Sequence, residues 1–261
     1  KLVGIVKKGG RKTVKPVIFM DIIRKFESNE FNKQQKAYDL ATKEYISSGG
    51  KGKLGKEKYF DAFTIHMVKD GALKTKNDVT GWGNNNWDIS GFYHADIDIK
   101  PDEWTDELFN SIWKKLESTS PALMHPSANK GIKCYWFSDI NNTLENRRHF
   151  QGIAQFIIKD ITTKLGIEEY YDHSPTDPTR QSYGAGTVIN GKSYFYSDLE
   201  NSKSISTKKA IHFVKSFHKN LNELEDKRTA LLKNNTTETG FNGLDEAHQK
   251  RIKNKADNAL N

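Results

Sequence analysis

The sequence predicts an α+β fold, with a mixed α/β body over residues 1–200 and a helical tail over 201–261. Three observations carry this. The stretch Gly91–Phe92–Tyr93–His94–Ala95–Asp96–Ile97–Asp98–Ile99 alternates with the period of two that a half-buried strand requires. The segments around Leu108 and Ile153 repeat apolar residues at three- and four-residue spacing, the period of a helix packed on one side. From Ser204 onward only that helical period persists, through Ile211, Val214, Phe217, Leu221 and Leu224, with Leu231 one heptad further on.

Taken in order, residues 1–16 are a basic lead-in to the apolar run Val17–Met20. Ile22 to about Tyr45 has no Gly or Pro and reads as one helix. Ser47–Lys56 is a loop rich in glycine and lysine. It matches neither a P-loop nor a dinucleotide fingerprint, because no Gly-Lys-Ser/Thr closes it. It reads either as a basic element that touches phosphates or as a solvated linker. Tyr59–Val68 has strand composition, Asp70–Gly71 is its turn, and Val79–Asp88 is a polar loop carrying Trp82 and Trp87. Asp102 is suited to cap a helix reaching Ser118, with Trp104, Leu108, Ile112 and Leu116 as its stripe. The turn Ser127–Lys133 enters the strand Cys134–Phe137. A helix then runs from Leu144 to Leu165, burying Phe150, Ile153, Ile157 and Ile161 and stopping at Gly166. Ile167–Asp172 returns to the sheet, and Asn190–Gly191 centres a hairpin within Thr187–Phe195.

Composition narrows the function classes. With 41 basic and 33 acidic residues the net charge is +8, which favours polyanionic partners. A single cysteine, Cys134, excludes an intrachain disulfide and a zinc knuckle. No apolar run approaches the roughly 18 residues of a membrane span, and no segment resembles a signal peptide. The expected compartment is the cytoplasm. A start at Lys1 rather than Met reads as an excised fragment.

On the strand Gly91–Ile99, Ala95, Ile97 and Ile99 point to a core while His94, Asp96 and Asp98 share the other face. Two carboxylates side by side repel each other unless a cation lies between them, and Mg²⁺ and Mn²⁺ favour carboxylate oxygen. Strand, helix, turn, strand, helix, strand would make a β-α-β-β-α-β sheet of the ferredoxin or RNA-recognition type. That sheet brings Asp172, at the end of a neighbouring strand, toward Asp96 and Asp98. Asp177 is the alternative third acid, although it precedes Pro178 and is equally suited to capping the turn. The Ser127–Lys133 turn offers N–H groups, a hydroxyl and a cation to a triphosphate. Arg180 offers a bidentate phosphate clamp.

The order Asp-x-Asp, then Ser-x-x-x-Gly-x-Lys, then a hydrophobic residue and Asp followed by Asp-Pro-Thr-Arg resembles the archaeo-eukaryotic primase superfamily of primase-polymerases. Within it, the pattern is most similar to the VirE-type amino-terminal domains of mobile-element and phage replication proteins. The likeness runs from about Ser47 to Arg180. It implies a primase-polymerase catalytic core with an N-terminal α/β extension and a C-terminal helical tail. It also implies Asp96, Asp98 and Asp172 as a metal-binding triad for Mg²⁺ or Mn²⁺, with Ser127, Lys133, Arg180 and His94 at the nucleotide. The implied activity is DNA-dependent nucleotidyl transfer, as primase, DNA polymerase or both, on a single-stranded DNA template with nucleoside triphosphates. The implied setting is a bacterial host cytoplasm, with a helicase domain or protein outside this fragment. Two departures stand out. Lys133 sits where most of the superfamily has His, and the turn is one residue longer than the usual Ser-Gly-x-Gly, which loosens the placement of Ser127.

Other readings of the same residues remain open. A catalytically silent module that binds single-stranded nucleic acid in a replication complex would use the same sheet. His94 fits a substrate contact or a structural role, and Trp82 and Trp87 fit base stacking or loop anchoring. A rolling-circle endonuclease would need a His-x-His pair, which the sequence lacks.

Overall fold

The computed structural model describes residues 1–6, 14–52, 54–68, 86–172 and 181–237. Strand β1 (Leu2–Val6) pairs antiparallel with β2 (Lys15–Ile18). Helix α1 (Phe19–Glu27) follows directly and buries Phe19, Ile22, Ile23 and Phe26 on one side. The single helix expected over this region is two helices. Asn29 adopts a φ of 64°, in the left-handed region that Asn enters more readily than other side chains. The chain restarts there as α2 (Glu30–Ser47), which buries Phe31, Gln34 and Tyr38.

The strand expected over Tyr59–Val68 is also two pieces, β3 (Ala62–Thr64) and β4 (Met67–Val68). The Thr64 hydroxyl donates to the His66 carbonyl at 2.9 Å and closes the bend between them. β3 joins β1, whereas β4 pairs with β5 (Trp87–Asp88). Trp87 is therefore no stacking platform. It is 3% exposed, with its ring against Phe150 and His66. Trp82, the Asp70–Gly71 turn, Asp177 and Arg180 lie outside the described residues.

The acidic strand is β6 (Phe92–Ile97). The helix after it, α3 (Asp106–Glu117), starts later than Asp102 would have it. Thr105 is the cap, its hydroxyl accepting from the Leu108 N–H at 3.1 Å. The later start turns the buried stripe to Phe109, Ile112, Trp113 and Leu116. Trp104 falls outside the helix and donates its indole N–H to the Lys130 carbonyl. Next come β7 (Leu123–Pro126) and β8 (Ile132–Phe137). Helix α4 (Leu144–Leu165) matches its sequence bounds, with Thr143 as N-cap and Gly166 ending it at φ 61°. β9 (Tyr171–Asp172) returns the chain to β6.

These elements follow the order β-α-β-β-α-β. With the later β13 (Tyr196–Ser197), their sheet reads β13-β7-β8-β6-β9, with every pairing antiparallel. Each β-α-β unit has the other's strand inserted between its own two strands, which is the split β-α-β arrangement. A second sheet, completed by β10 (Ser182–Tyr183), has the order β10-β3-β1-β2. β11 (Val188–Ile189) and β12 (Lys192–Ser193) make the expected hairpin, with Asn190 and Gly191 both at positive φ.

One face of the five-stranded sheet carries Tyr93 and Trp136 and packs on α4, with Tyr93 stacked 6.0 Å from Phe150. The other faces α1 and β3. Phe92 meets Phe19 at 4.5 Å, Tyr135 meets Phe63, and a shared core of Ile22, Ile23, Phe26 and Phe31 fills the space.

The chain forms two compact units, Lys1–Ile211 and His212–Asn261. Helix α5 (Lys208–Thr237) begins in the first and supplies the described part of the second. Two members of its expected apolar stripe, Phe217 and Leu224, are exposed. Among the described residues no helix is long and apolar enough to cross a membrane.

Candidate active site

Strand register builds the site. On β6, Asp96 lies directly opposite Lys133 of β8 on one side and Asp172 of β9 on the other. Lys133 in turn lies opposite His125 of β7. Residues directly opposite one another share a face. His125, Lys133, Asp96 and Asp172 therefore form a polar row across four strands, on the face turned toward α1 and β3. Asp98 lies one strand step beyond Asp96, its N–H donating to the Tyr170 carbonyl at 2.8 Å. The three carboxylates expected to act together are thus neighbours at one end of the sheet.

The Lys133 ammonium is 2.5 Å from Asp96 Oδ2, and both side chains are largely buried, at 9% and 13% exposure. Burial is the largest influence and pushes the Asp96 carboxyl up, but the charge and hydrogen bond of Lys133 together with the charges of His94 and Lys56 outweigh it, and the carboxyl ends below the usual range. Asp96 Oδ1 is buried and accepts no hydrogen bond from any of the described residues. Asp98 goes the other way. Burial and then the Asp96 charge raise its carboxyl, Lys133 and Lys56 oppose this, and Asp172 adds to it. Crowded carboxylates with a raised member and a buried bare oxygen are an arrangement that a hard divalent cation would relieve. Among the described residues, no three His, Cys, Asp or Glu side chains converge into a ready-made cage.

The Ser127 turn abuts the end of this row. Ser127 donates its N–H to the Gly131 carbonyl at 2.7 Å, and its hydroxyl accepts from the Gly131 N–H at 2.9 Å. A Cβ on Gly131 would lie 2.4 Å from the Ile97 carbonyl oxygen and 3.2 Å from Asp98 Oδ1. Only glycine lets the turn seat against the acidic strand. Ser127 therefore shapes the turn and keeps its own hydroxyl proton to donate.

His94 is buried beneath Tyr135, the rings 4.7 Å apart and within 13° of parallel. Its closeness to Asp96 comes from sharing the strand face. Four further residues belong to the site although their sequence setting did not mark them. His125 Nδ1 lies 2.7 Å from the Pro126 carbonyl, so it carries the proton. Nε2 then accepts from the Tyr135 hydroxyl, whose oxygen accepts from Ser182 at 2.5 Å. This buried chain links β8 to β10, beside the Lys133–Asp96 pair. Burial pushes His125 down to about 3, so the ring is neutral throughout the physiological range. Lys56, at the end of the glycine–lysine loop, is the fourth; it acts on both Asp96 and Asp98.

No protein-family model and no curated protein matches the chain.

Proposed function

We propose that the protein is a DNA-dependent nucleotidyltransferase, a primase-polymerase core that starts or extends strands on a single-stranded DNA template. The observation that carries this is the polar row: Asp96 between Lys133 and Asp172, with Asp98 one step away and the Ser127 turn seated against it. The donor set is carboxylate oxygen, which suits Mg²⁺ or Mn²⁺, and Asp96, Asp98 and Asp172 would hold the ions. Bound there, such ions supply Lewis acidity that activates a 3′-hydroxyl and steadies a departing pyrophosphate.

The chain's own groups do the rest. Lys133 holds Asp96 ionised and offers a cation beside a triphosphate on the Ser127 turn. Ser127 has a hydroxyl proton to donate to a phosphate oxygen, and Lys56 adds a second cation. Arg180 would close on the phosphates as a bidentate clamp. The His125–Tyr135–Ser182 chain braces the strand that carries Lys133. No side chain is needed as general base. The net charge of +8 suits a nucleic-acid template. The setting that fits is a phage or mobile-element replication protein in a bacterial cytoplasm, working with a helicase.

The test is incubation with labelled nucleotides, Mn²⁺ or Mg²⁺ and a single-stranded template, with and without primer. Dinucleotides and short oligomers, or extended primer, are expected from the wild type. Asp96→Ala/Asp98→Ala should reduce them by at least about a hundredfold, the scale of losing a preorganised charged group in a transition state. If both proteins bind single strands equally and neither incorporates nucleotide, the silent binding module is the correct reading.

A further inference from the structure

Beside the Ser127 turn lies a cleft of about 210 Å³, walled by Gln35 and Asp39 of α2, Ser127 and Lys130 of the turn, and Val188 and Asn190 of the hairpin. Its size limits its occupant. Sites that enclose a whole drug-sized ligand span roughly 300–1,000 Å³, so this one takes a single ring-sized group and leaves the rest of a larger ligand outside.

Its chemistry limits the occupant further. Asp39 Oδ1 accepts from Gln35 Nε2 at 2.8 Å. Gln35 is itself braced to both other walls: its Oε1 accepts from the Gly186 N–H at 3.3 Å and its Nε2 reaches the Ala128 carbonyl at 3.4 Å. A carboxylate steadied in this way is an acceptor that repels phosphate and attracts hydroxyl donors. Pro126, Val188 and Ile189 add apolar surface suited to C–H groups. Hydroxyls on one side and C–H on the other describe a sugar. Ser127 lines this cleft and also belongs to the turn offered to phosphates, so both ends of one nucleotide can be served side by side.

Resting on the nucleotidyltransferase reading, we infer that the cleft takes the sugar of the incoming nucleoside triphosphate, with Asp39 accepting from its 2′-hydroxyl, and that the protein prefers ribonucleotides. A carboxylate that loses its 2′-hydroxyl donor forfeits a charge-assisted hydrogen bond, equivalent to roughly a tenfold to hundredfold preference.

Equilibrium binding of CTP and dCTP to the full chain with Mg²⁺ tests this. Two variants are compared with the wild type. Asp39→Ala removes the acceptor at an exposed helix position where Ala is well tolerated, and Val188→Trp fills the cleft from an exposed hairpin position. The wild type should bind CTP at least about tenfold more tightly than dCTP. Asp39→Ala should bring CTP down to the dCTP level without changing dCTP, and Val188→Trp should weaken both. If nucleotides bind but Asp39→Ala leaves the ratio intact, or Val188→Trp weakens neither, the sugar assignment fails and nucleotidyl transfer stands. If the wild type binds neither nucleotide, both fail.

Discussion

The two faces of the five-stranded sheet are closed to solvent to a similar degree, yet they are built from opposite chemistry. Under α4 lie Tyr93, Ala95, Ile97, Ile132, Cys134 and Trp136, each fully buried. Toward α1 and β3 lie Phe92, His94, Tyr135, Lys133 and Asp96, and of these only Asp96 is more than marginally exposed. The first face needs only volume and shape. The second keeps a charge pair and a directed hydrogen-bond chain in register, because a buried charge without its partner is costly. A sheet that invests one face in packing can hold reactive groups rigidly on the other.

Breaking each face should give the largest effects and separate the two. Phe150→Ala on the α4 side should cost about 3–5 kcal/mol in urea unfolding, through lost apolar burial and the cavity left behind. Lys133→Met should cost a similar amount, about 3–5 kcal/mol near neutral pH, because Asp96 is left charged and buried. The difference appears on pairing. Lys133→Met/Asp96→Leu should recover most of the loss, whereas a second substitution beside Phe150 should only add to it.

Acid should act next. Burial holds both His66, beside Phe150, and His125, in the polar row, at about 3. Their folded values lie below the unfolded value near 6.5, so the unfolded chain binds the extra protons. Their stabilising contribution is complete above about pH 6.5 and is lost as pH falls from there toward 3. Each adds at most about 1.4 kcal/mol per pH unit to the slope. His66→Phe should remove one proton's share from unfolding free energies measured across that window, whatever its effect on absolute stability. An unchanged slope would show that His66 is not held neutral. The smallest effect belongs to the α4 cap: Thr143→Ala should lower stability by about 1 kcal/mol, read as a modest drop in urea midpoint.

Features with their own local signal were legible in the sequence. Helix α4 has a periodic stripe and a glycine stop, the hairpin has Asn190–Gly191, and β6 has its alternation. Features set by distant partners were not. Asn29 breaks a helix without any Gly or Pro to announce it. Trp87 sits among asparagines and reads as loop, but it is buried by Phe150, which lies far along the chain. The acidic pair and Lys133 were visible as types. Their alignment depends on β7, a four-residue strand ending in Pro126 that reads as an approach to the turn. Without β7, His125 and Tyr135 have no visible reason to join the row. Lys56 was one lysine among several in a glycine-rich loop, and only the folded chain sets it apart.

Titration of the full chain with Mn²⁺, followed by loss of the free-ion paramagnetic resonance signal, most directly tests whether the polar row is a cation site that Lys133 guards. The wild type should take up Mn²⁺, Asp96→Asn/Asp98→Asn should lose that uptake, and Lys133→Met should bind more tightly because the competing ammonium is gone. Equal uptake by the wild type and the double variant, or weaker binding by Lys133→Met, would contradict it.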